Sequence, residues 1–290
     1  MSASPSLSVS LPAEIGFGSR LLRRKAVMAS AIVLALLVLV AVLAPWIAPY
    51  APAKLSIMNR LTPPGAGFWL GTDEFGRDIL SRTMFAARLS LLVGFCVMAF
   101  AVVGGVLLGV LAGFFRRLDT PIARIIDAMM AFPDVLLAIA LVAALGPSLA
   151  TVIVALGIVY TPRMARIVRA STLVIRELPY IEAAHALAIP TRKILTRHVL
   201  RNLTAPILVQ GSFVFAYAML AEAGLSFLGL GVSPDIPTWG TMIASGRQYL
   251  DQALWMTIVP GAAIIVSVLS LQVLGDGFRD LLDPRLRKDL

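Results

Sequence analysis

The residues of this chain that could do chemistry lie mainly in one polar, basic stretch, residues 178–203, between strongly hydrophobic segments. The stretch contains Glu182-Ala183-Ala184 and both histidines of the chain. A carboxylate beside two small alanines gives a helix a fixed negative charge and lets its backbone lie close to another protein. The pattern therefore predicts a protein-docking surface that faces a basic group of a partner.

Enzymatic chemistry is disfavoured by the residue types and spacings of the sequence. No Gly-x-x-x-x-Gly-Lys-Ser/Thr phosphate-binding loop occurs, so we do not expect this chain to hydrolyse ATP itself. His185, His198 and the single Cys96 have no zinc-ligand spacing, and no Ser-His-Asp set can be assembled within the hydrophobic segments. The sequence predicts no catalytic residue, no metal site and no cofactor bound by this chain.

Glu222 is a second candidate for a functional residue because it lies within a hydrophobic segment. A carboxylate inside a membrane span is costly and is a functional candidate by default. Two interpretations are open. Glu222 could face a polar translocation path, or it could make a structural hydrogen bond between subunits near the outer end of the fifth span.

The segment 71–94 carries a local cluster of carboxylates at 73–78 together with several arginines. A cation site is disfavoured because Arg77 and Arg82 compete for those carboxylates. We expect Thr72 or Asp73 to cap a short helix. The residues then left to pair locally are Arg77, Asp78, Arg82 and Arg88.

The elements that must position these residues are membrane-spanning helices. Hydrophobic residues make up 59% of the 290 residues and charged residues 14%, against about 45–50% and about 25% in soluble domains. A span needs about 20 apolar residues. The sequence predicts an all-α polytopic protein with six spans, at residues 26–48, 89–114, 128–146, 149–169, 206–230 and 254–275.

The net charge of +9 follows membrane orientation, because the basic residues lie at the ends of the apolar segments. This distribution disfavours a nucleic-acid partner. It places both termini in the cytoplasm, with tails 1–25 and 276–290 and a cytoplasmic loop at about 170–205, and it places segment 49–88 outside. The first apolar run is too long for a signal peptide core of about 7–15 residues, so we expect an uncleaved span.

Small residues and a proline set expectations for individual helices. Gly105, Gly109 and Gly113 recur every four residues and predict a face where another helix packs closely. Asp134 follows Pro133 near the start of the third span, which predicts helix capping at the membrane edge.

Pro190 divides the cytoplasmic loop into two helical pieces, because proline cannot extend a helix through its own position. The second piece has a basic stripe and an apolar stripe on opposite sides. The basic stripe is Lys193, Arg197 and Arg201, and the apolar stripe is Leu195, Val199 and Leu203. The basic stripe alone is also typical of a helix that lies on anionic lipid, but this alternative does not explain the alanine-rich helix before it.

The loop resembles the EAA loop of binding-protein-dependent ABC importer permeases, which receives the ATPase subunit. That pattern has Glu-Ala-Ala, a glycine after three further residues, and a distal Leu-Pro-Asn. Here Ala188 replaces the glycine, and Leu200-Arg201-Asn202 replaces the distal triplet. The resemblance implies that Glu182, Ala183, Ala184 and Ala188 dock the ATPase, with support from Lys193, Arg197 and Asn202.

Three further blocks resemble the dipeptide, oligopeptide and nickel branch of that family, specifically its "C"-type subunit. They are Gly71-Thr-Asp-Glu-Phe-Gly-Arg-Asp78, the segment 221–240 and the segment 274–286. With the EAA loop they cover the chain from about residue 70 to its end, and the first span resembles that subunit's N-terminal extension.

This resemblance implies a type I ABC importer transmembrane domain with an extra N-terminal span, in the bacterial inner membrane. It implies four partners besides the bilayer: a homologous permease subunit, two ATP-binding subunits that use ATP and Mg, and an external substrate-binding protein. Peptides are the expected substrate, with nickel, glutathione and opine-like compounds as alternatives. An ATP-independent carrier or channel is the alternative function, and it would need no ATPase dock.

Overall fold

The computed structural model describes residues 25–282. Every regular secondary-structure element in this range is a helix. The only strand-like contact in the range is an isolated bridge between Thr72 and Asp78. The α-helices are α1 (Lys25–Ile47), α2 (Ile79–Phe114), α3 (Arg116–Met130), α4 (Asp134–Leu145), α5 (Leu149–Arg176), α6 (Pro179–Ala186), α7 (Thr191–Ile194), α8 (Leu200–Asn202), α9 (Thr204–Phe227), α10 (Trp239–Gly246) and α11 (Trp255–Leu282). A π-helical turn, Leu195–Val199, joins α7 to α8.

The helices agree with the predicted membrane class. Five of them, α1, α2, α5, α9 and α11, are long and apolar enough to cross a membrane. The pair α3 and α4 supplies a sixth candidate, bent by 89° at its break. The predicted tail 1–25 lies almost wholly outside the described residues, and α11 continues into the predicted tail 276–290 as far as Leu282.

The predicted third span, 128–146, is wrong as a single straight helix. Its first three residues belong to α3, and α4 begins only at Asp134. Pro133 precedes α4 with extended backbone, φ −58° and ψ 130°, and a proline also disfavours helical geometry in the residue before it. At 12 residues α4 is about 18 Å long, so α4 alone is shorter than a hydrocarbon core of about 30 Å.

The second helix begins ten residues before the predicted start of the second span. Asp78 caps α2 by accepting hydrogen bonds from the Ser81 backbone N–H at 2.8 Å and from the Ser81 hydroxyl at 2.6 Å. The expectation that Thr72 or Asp73 is the cap is therefore wrong. Asp73 instead accepts from the Arg77 backbone N–H at 2.8 Å and pairs with the Arg77 side chain at 2.5 Å. Arg82 lies 3.6 Å from the same carboxylate, so local pairing is present for these two arginines. The predicted local pairing of Arg88 is wrong, because its side chain has no hydrogen bond or ion pair among the described residues.

Close packing of α2 against α5 forms the centre of the molecule, as the glycine repeat predicts. A Cβ added at Gly105 would lie 2.5 Å from the Met164 side chain, and one at Gly109 would lie 2.6 Å from Val168. Gly113 has the same relation to Thr172, at 2.6 Å. Only glycine allows the two helices to approach this closely.

Candidate functional site: a two-helix platform below the core

The platform is the segment Pro179–Asn202, which follows directly after α5. Pro179 is the first residue of α6, a position where its missing N–H has no helical partner to lose. Ile181 and Ala184 are buried on the side of α6 that faces the chain's own core. Glu182 and Ala183 are exposed on the other side, where the docking prediction requires them.

Ala184 departs from its predicted role. It is 5% exposed and packs in a cluster with Val168 and Leu203. Three consecutive residues of a helix point in directions about 100° apart, so one member of the Glu-Ala-Ala triplet must face inward. Ala184 lets α6 lie close to its own chain, and Glu182 and Ala183 face outward.

The turn after α6 has the geometry of a Schellman helix end. The Ala188 N–H donates to the His185 carbonyl at 2.9 Å, and the Ile189 N–H donates to the Ala184 carbonyl at 3.0 Å. Ala188 has φ +52°, the left-handed conformation that glycine normally occupies at this position. The turn expected of the resembled glycine is therefore present, with an alanine held in it.

The second half of the platform is amphipathic, as predicted, but it is not a regular α-helix. Lys193, Arg197 and Arg201 are exposed, whereas Val199 and Leu203 are fully buried. Between α7 and α8 the chain widens into a π turn. That widening brings Ile194, one residue before the predicted stripe, to 0% exposure.

Asn202 connects the two halves of the platform. Its Nδ2 donates to the His198 carbonyl at 2.6 Å and to the Tyr180 hydroxyl at 3.2 Å. The Tyr180 and His198 rings lie 6.0 Å apart, centroid to centroid. Asn202 thus holds α6 and α8 together, which is an internal role besides any contact with a partner.

A cavity of 430 Å³ opens beside the exposed face of α6. It is lined by Phe114, Arg116, Arg176, Glu177, Glu182 and His185. Arg176 is held in place because its Nη1 donates to the Gly113 carbonyl at 2.8 Å and its Nε donates to Glu177 at 2.9 Å. Glu182 has no ion-pair partner among the described residues, so this carboxylate is available to a cationic group placed in the cavity.

Sequence reasoning missed a row of ion pairs that fixes α3 and α4 against α5. Three arginines of α5, spaced three residues apart, each contact one aspartate of the bent pair. The pairs are Arg163 with Asp134, Arg166 with Asp127 at 2.8 Å, and Arg169 with Asp119 at 2.5 Å. The three-residue spacing of the arginines could have indicated a charged helix face, but the sequence analysis used these residues only to predict membrane orientation. The predicted capping by Asp134 is wrong, because Pro133 is the N-cap of α4 and no side chain makes a capping hydrogen bond there. Asp134 is the first residue of α4 and pairs with Arg163 instead.

Glu222 lies far from the platform and is 1% exposed. Its Oε1 accepts hydrogen bonds from the Ser226 hydroxyl at 2.9 Å and from the Thr238 hydroxyl at 2.9 Å. Thr238 also caps α10, with its Oγ1 accepting from the Thr241 N–H at 3.0 Å. Glu222 thus ties α9 to the start of α10 inside one chain. These two hydrogen bonds lie within the chain. A path-lining role and a contact with another subunit both stay predictions.

Two family models match the chain. The model described as "Binding-protein-dependent transport system inner membrane component" covers residues 105–288, and the model described as "N-terminal TM domain of oligopeptide transport permease C" covers residues 17–64. Together they include the platform and the first span.

Curated relatives match the chain over nearly their full length. A Brucella suis protein provisionally named a peptide transport system permease is 48% identical, over 92% of this chain and 90% of its own length. A di/tripeptide transport system permease protein of Pseudomonas aeruginosa is 44% identical, over 87% and 86%. A glutathione transport system permease protein of Pectobacterium atrosepticum is 39% identical, over 93% and 91%.

Proposed function

The chain belongs to the family of inner membrane components of binding-protein-dependent transport systems, and from this premise we propose that it is one permease subunit of an ATP-driven importer for di- or oligopeptides. Its platform docks an ATPase subunit, and the ATP and Mg belong to that partner. A homologous permease subunit forms the other half of the translocation path. An external binding protein delivers the substrate, and both termini lie in the cytoplasm.

The observation that carries this proposal is the exposed Glu182 beside the 430 Å³ cavity. The carboxylate is held on a helix whose opposite side is buried through Ile181 and Ala184, so its position is fixed relative to α2 and α5. An ATP-independent carrier has no use for such a platform. ATP binding would draw two ATPases together and shift the path between inward- and outward-facing states through these contacts.

The peptide substrate is supported by the relatives, whose names describe peptide, di/tripeptide and glutathione transport. Glutathione is itself a tripeptide, so the three names share one chemical class. Competition between labelled dipeptide and unlabelled dipeptide, tripeptide or glutathione, in cells that express the full transporter, would identify the preferred member of that class.

The decisive experiment is recovery of the ATPase with tagged Glu182→Lys in mild detergent. Reversing this charge should lower ATPase recovery about ten-fold or more, because truncating or opposing a docked charge costs several kcal/mol. Membrane insertion and recovery of the second permease should stay normal. Asp251→Lys is the matched control, because it makes the same charge change at an exposed residue of a loop outside the platform.

Normal ATPase recovery and peptide uptake with Glu182→Lys would contradict the docking assignment. Recovery of the wild-type chain alone, under conditions that preserve a known transporter complex, would instead favour the carrier alternative. Loss of ATPase in both variants would indicate a general charge effect and would also count against a specific dock.

A further inference from the structure

A second cavity of 670 Å³ lies within the membrane-spanning region, remote from the platform. Its walls come from α1, α2 and α9 and include Val38, Val42, Leu92, Phe95 and Phe215. Val42 is 55% exposed and Phe95 is 54% exposed, so the cavity is an open groove on the surface of the chain. Its volume falls within the range of about 300–1,000 Å³ that is typical of small-molecule sites.

Arg88 is the one charged residue that lines this groove. Its neighbours in sequence behave differently, since Arg77 pairs with Asp73 at 2.5 Å and Arg82 donates to the Pro52 carbonyl at 3.2 Å. Among the described residues the Arg88 side chain has neither a hydrogen bond nor an ion pair, and it is exposed. An apolar groove with an unpaired guanidinium at its edge suits an amphipathic, anionic ligand.

The position of Arg88 along α2 identifies the membrane layer in which that charge lies. Arg88 is 26 residues before Phe114, the last residue of α2, which corresponds to about 39 Å along the axis. A tilt of about 20° lowers the height to about 37 Å. If Phe114 lies at one boundary of a hydrocarbon core of about 30 Å, Arg88 lies about 7 Å beyond the other boundary, in the headgroup layer.

The apolar part of the groove lies deeper than Arg88, on the hydrocarbon side. Phe95 is seven residues further along α2, about 10 Å closer to the membrane centre. The charge is therefore at phosphate depth, and the apolar walls are at acyl-chain depth, in the leaflet opposite the platform.

We propose that the groove between α1 and α2 binds a phospholipid, with the phosphate on Arg88 and one acyl chain along Val38, Val42 and Phe95. Arginine recognises phosphate through paired, charge-assisted hydrogen bonds. The bound lipid fills the space between the extra first span and the remaining helices. This site is independent of the peptide substrate and of the ATPase dock.

The test is native mass spectrometry of the purified transporter complex, titrated with dioleoyl phosphatidylglycerol. Arg88→Gln should weaken retention of this lipid about ten-fold, because it removes a charge-assisted contact. Arg60→Gln is the matched control, since Arg60 is an exposed arginine that lies over the Tyr249 ring and does not line the groove. Val42→Trp should also reduce retention, because the indole occupies space that the acyl chain needs.

Two probes separate the parts of the ligand. Dioleoylglycerol has the same chains without phosphate, so it should bind weakly and equally to wild type and Arg88→Gln. Inorganic phosphate should not displace the phospholipid, because it lacks the chains that fill the groove.

Three results would overturn the lipid assignment. Equal phospholipid retention by wild type and Arg88→Gln would show that Arg88 does not hold the phosphate. Displacement of the phospholipid by inorganic phosphate would show that the site binds anions without needing acyl chains. Loss of the second permease subunit from the Val42→Trp or Arg88→Gln complex would show that the groove is a contact between subunits.

Discussion

The left-handed turn at Ala188 gives a test in which a glycine should strengthen the platform. Ala188 has φ +52° and closes α6 through two backbone hydrogen bonds. An L-residue with a Cβ pays about 1–2 kcal/mol for left-handed backbone. Ala188→Gly removes that cost in the folded state and restores the residue of the resembled family pattern.

The net gain is smaller, because glycine also loses more backbone freedom on folding, about 0.5–1 kcal/mol relative to alanine. The difference leaves about 0.5–1 kcal/mol in favour of Ala188→Gly. This free-energy gain lowers the equilibrium population of the opened turn about two- to five-fold relative to wild type. Ala188→Gly therefore stabilises the turn only because residue 188 is left-handed; at a right-handed helical position the same substitution would destabilise it.

Hydrogen exchange of the platform peptides, measured on the chain without ATPase, reads this opening directly. The informative amides are those of Leu187, Ala188 and Ile189, which donate to the carbonyls of Ala183, His185 and Ala184. Exchange in Ala188→Gly should be about two- to five-fold slower than in wild type.

Ala183→Gly is the control of opposite sign. Ala183 is exposed in the middle of α6, where glycine costs about 0.5–1 kcal/mol. Its exchange should be about two- to five-fold faster. Unchanged or faster exchange in Ala188→Gly, or a shift in the same direction for both variants, would refute the reasoning.

Three other expectations concern packing, the buried carboxylate and pH. Gly109→Ala should destabilise the chain by about 1–3 kcal/mol in detergent unfolding, because its Cβ would lie 2.6 Å from Val168, whereas Gly211→Ala has 3.7 Å to its nearest neighbour and should be neutral or stabilising. Glu222→Gln keeps an oxygen acceptor for both hydroxyl donors, so uptake should stay within about two-fold of wild type if the residue is structural; complete loss of uptake with normal ATPase binding would favour the path. Burial raises the pKa of Glu74 above its usual 4.5, so its ionisation destabilises the fold as pH rises. Glu74→Gln should then melt higher than wild type at neutral pH, with a difference that closes as pH falls towards 4.5; a constant difference would exclude this cause.

Hydropathy was sufficient to predict the membrane class and the approximate positions of five spans, because each long apolar run needs its own helix in a bilayer. It misplaced the start of α2, since the first turns carry Arg82, which is 4% exposed. Burial of this cation is compensated by Asp73 at 3.6 Å and by the Pro52 carbonyl at 3.2 Å. Such tertiary partners cannot be counted in a hydropathy window.

For the platform, too, local sequence patterns predicted part of the structure, and contacts between distant residues decided the rest. Periodicity and Pro190 predicted two amphipathic pieces, and exposure of Glu182 and Arg197 agrees. The inward position of Ala184 follows from helix geometry, but the sequence analysis assigned all three residues of the Glu-Ala-Ala triplet to docking. The ion pair of Arg169 with Asp119 joins residues 50 positions apart, so only the folded chain brings them together.

The glycine contacts between α2 and α5 have a mechanical consequence. Backbones in such close contact cannot slide past each other without a clash, so the two helices should tilt as one rigid lever. The lever is about 54 Å long, because α2 has 36 residues. A tilt of about 5° at the platform would displace the far end by about 5 Å. Spin labels on α2 and α5 should then keep one separation with and without ATP, while their distance from α11 changes.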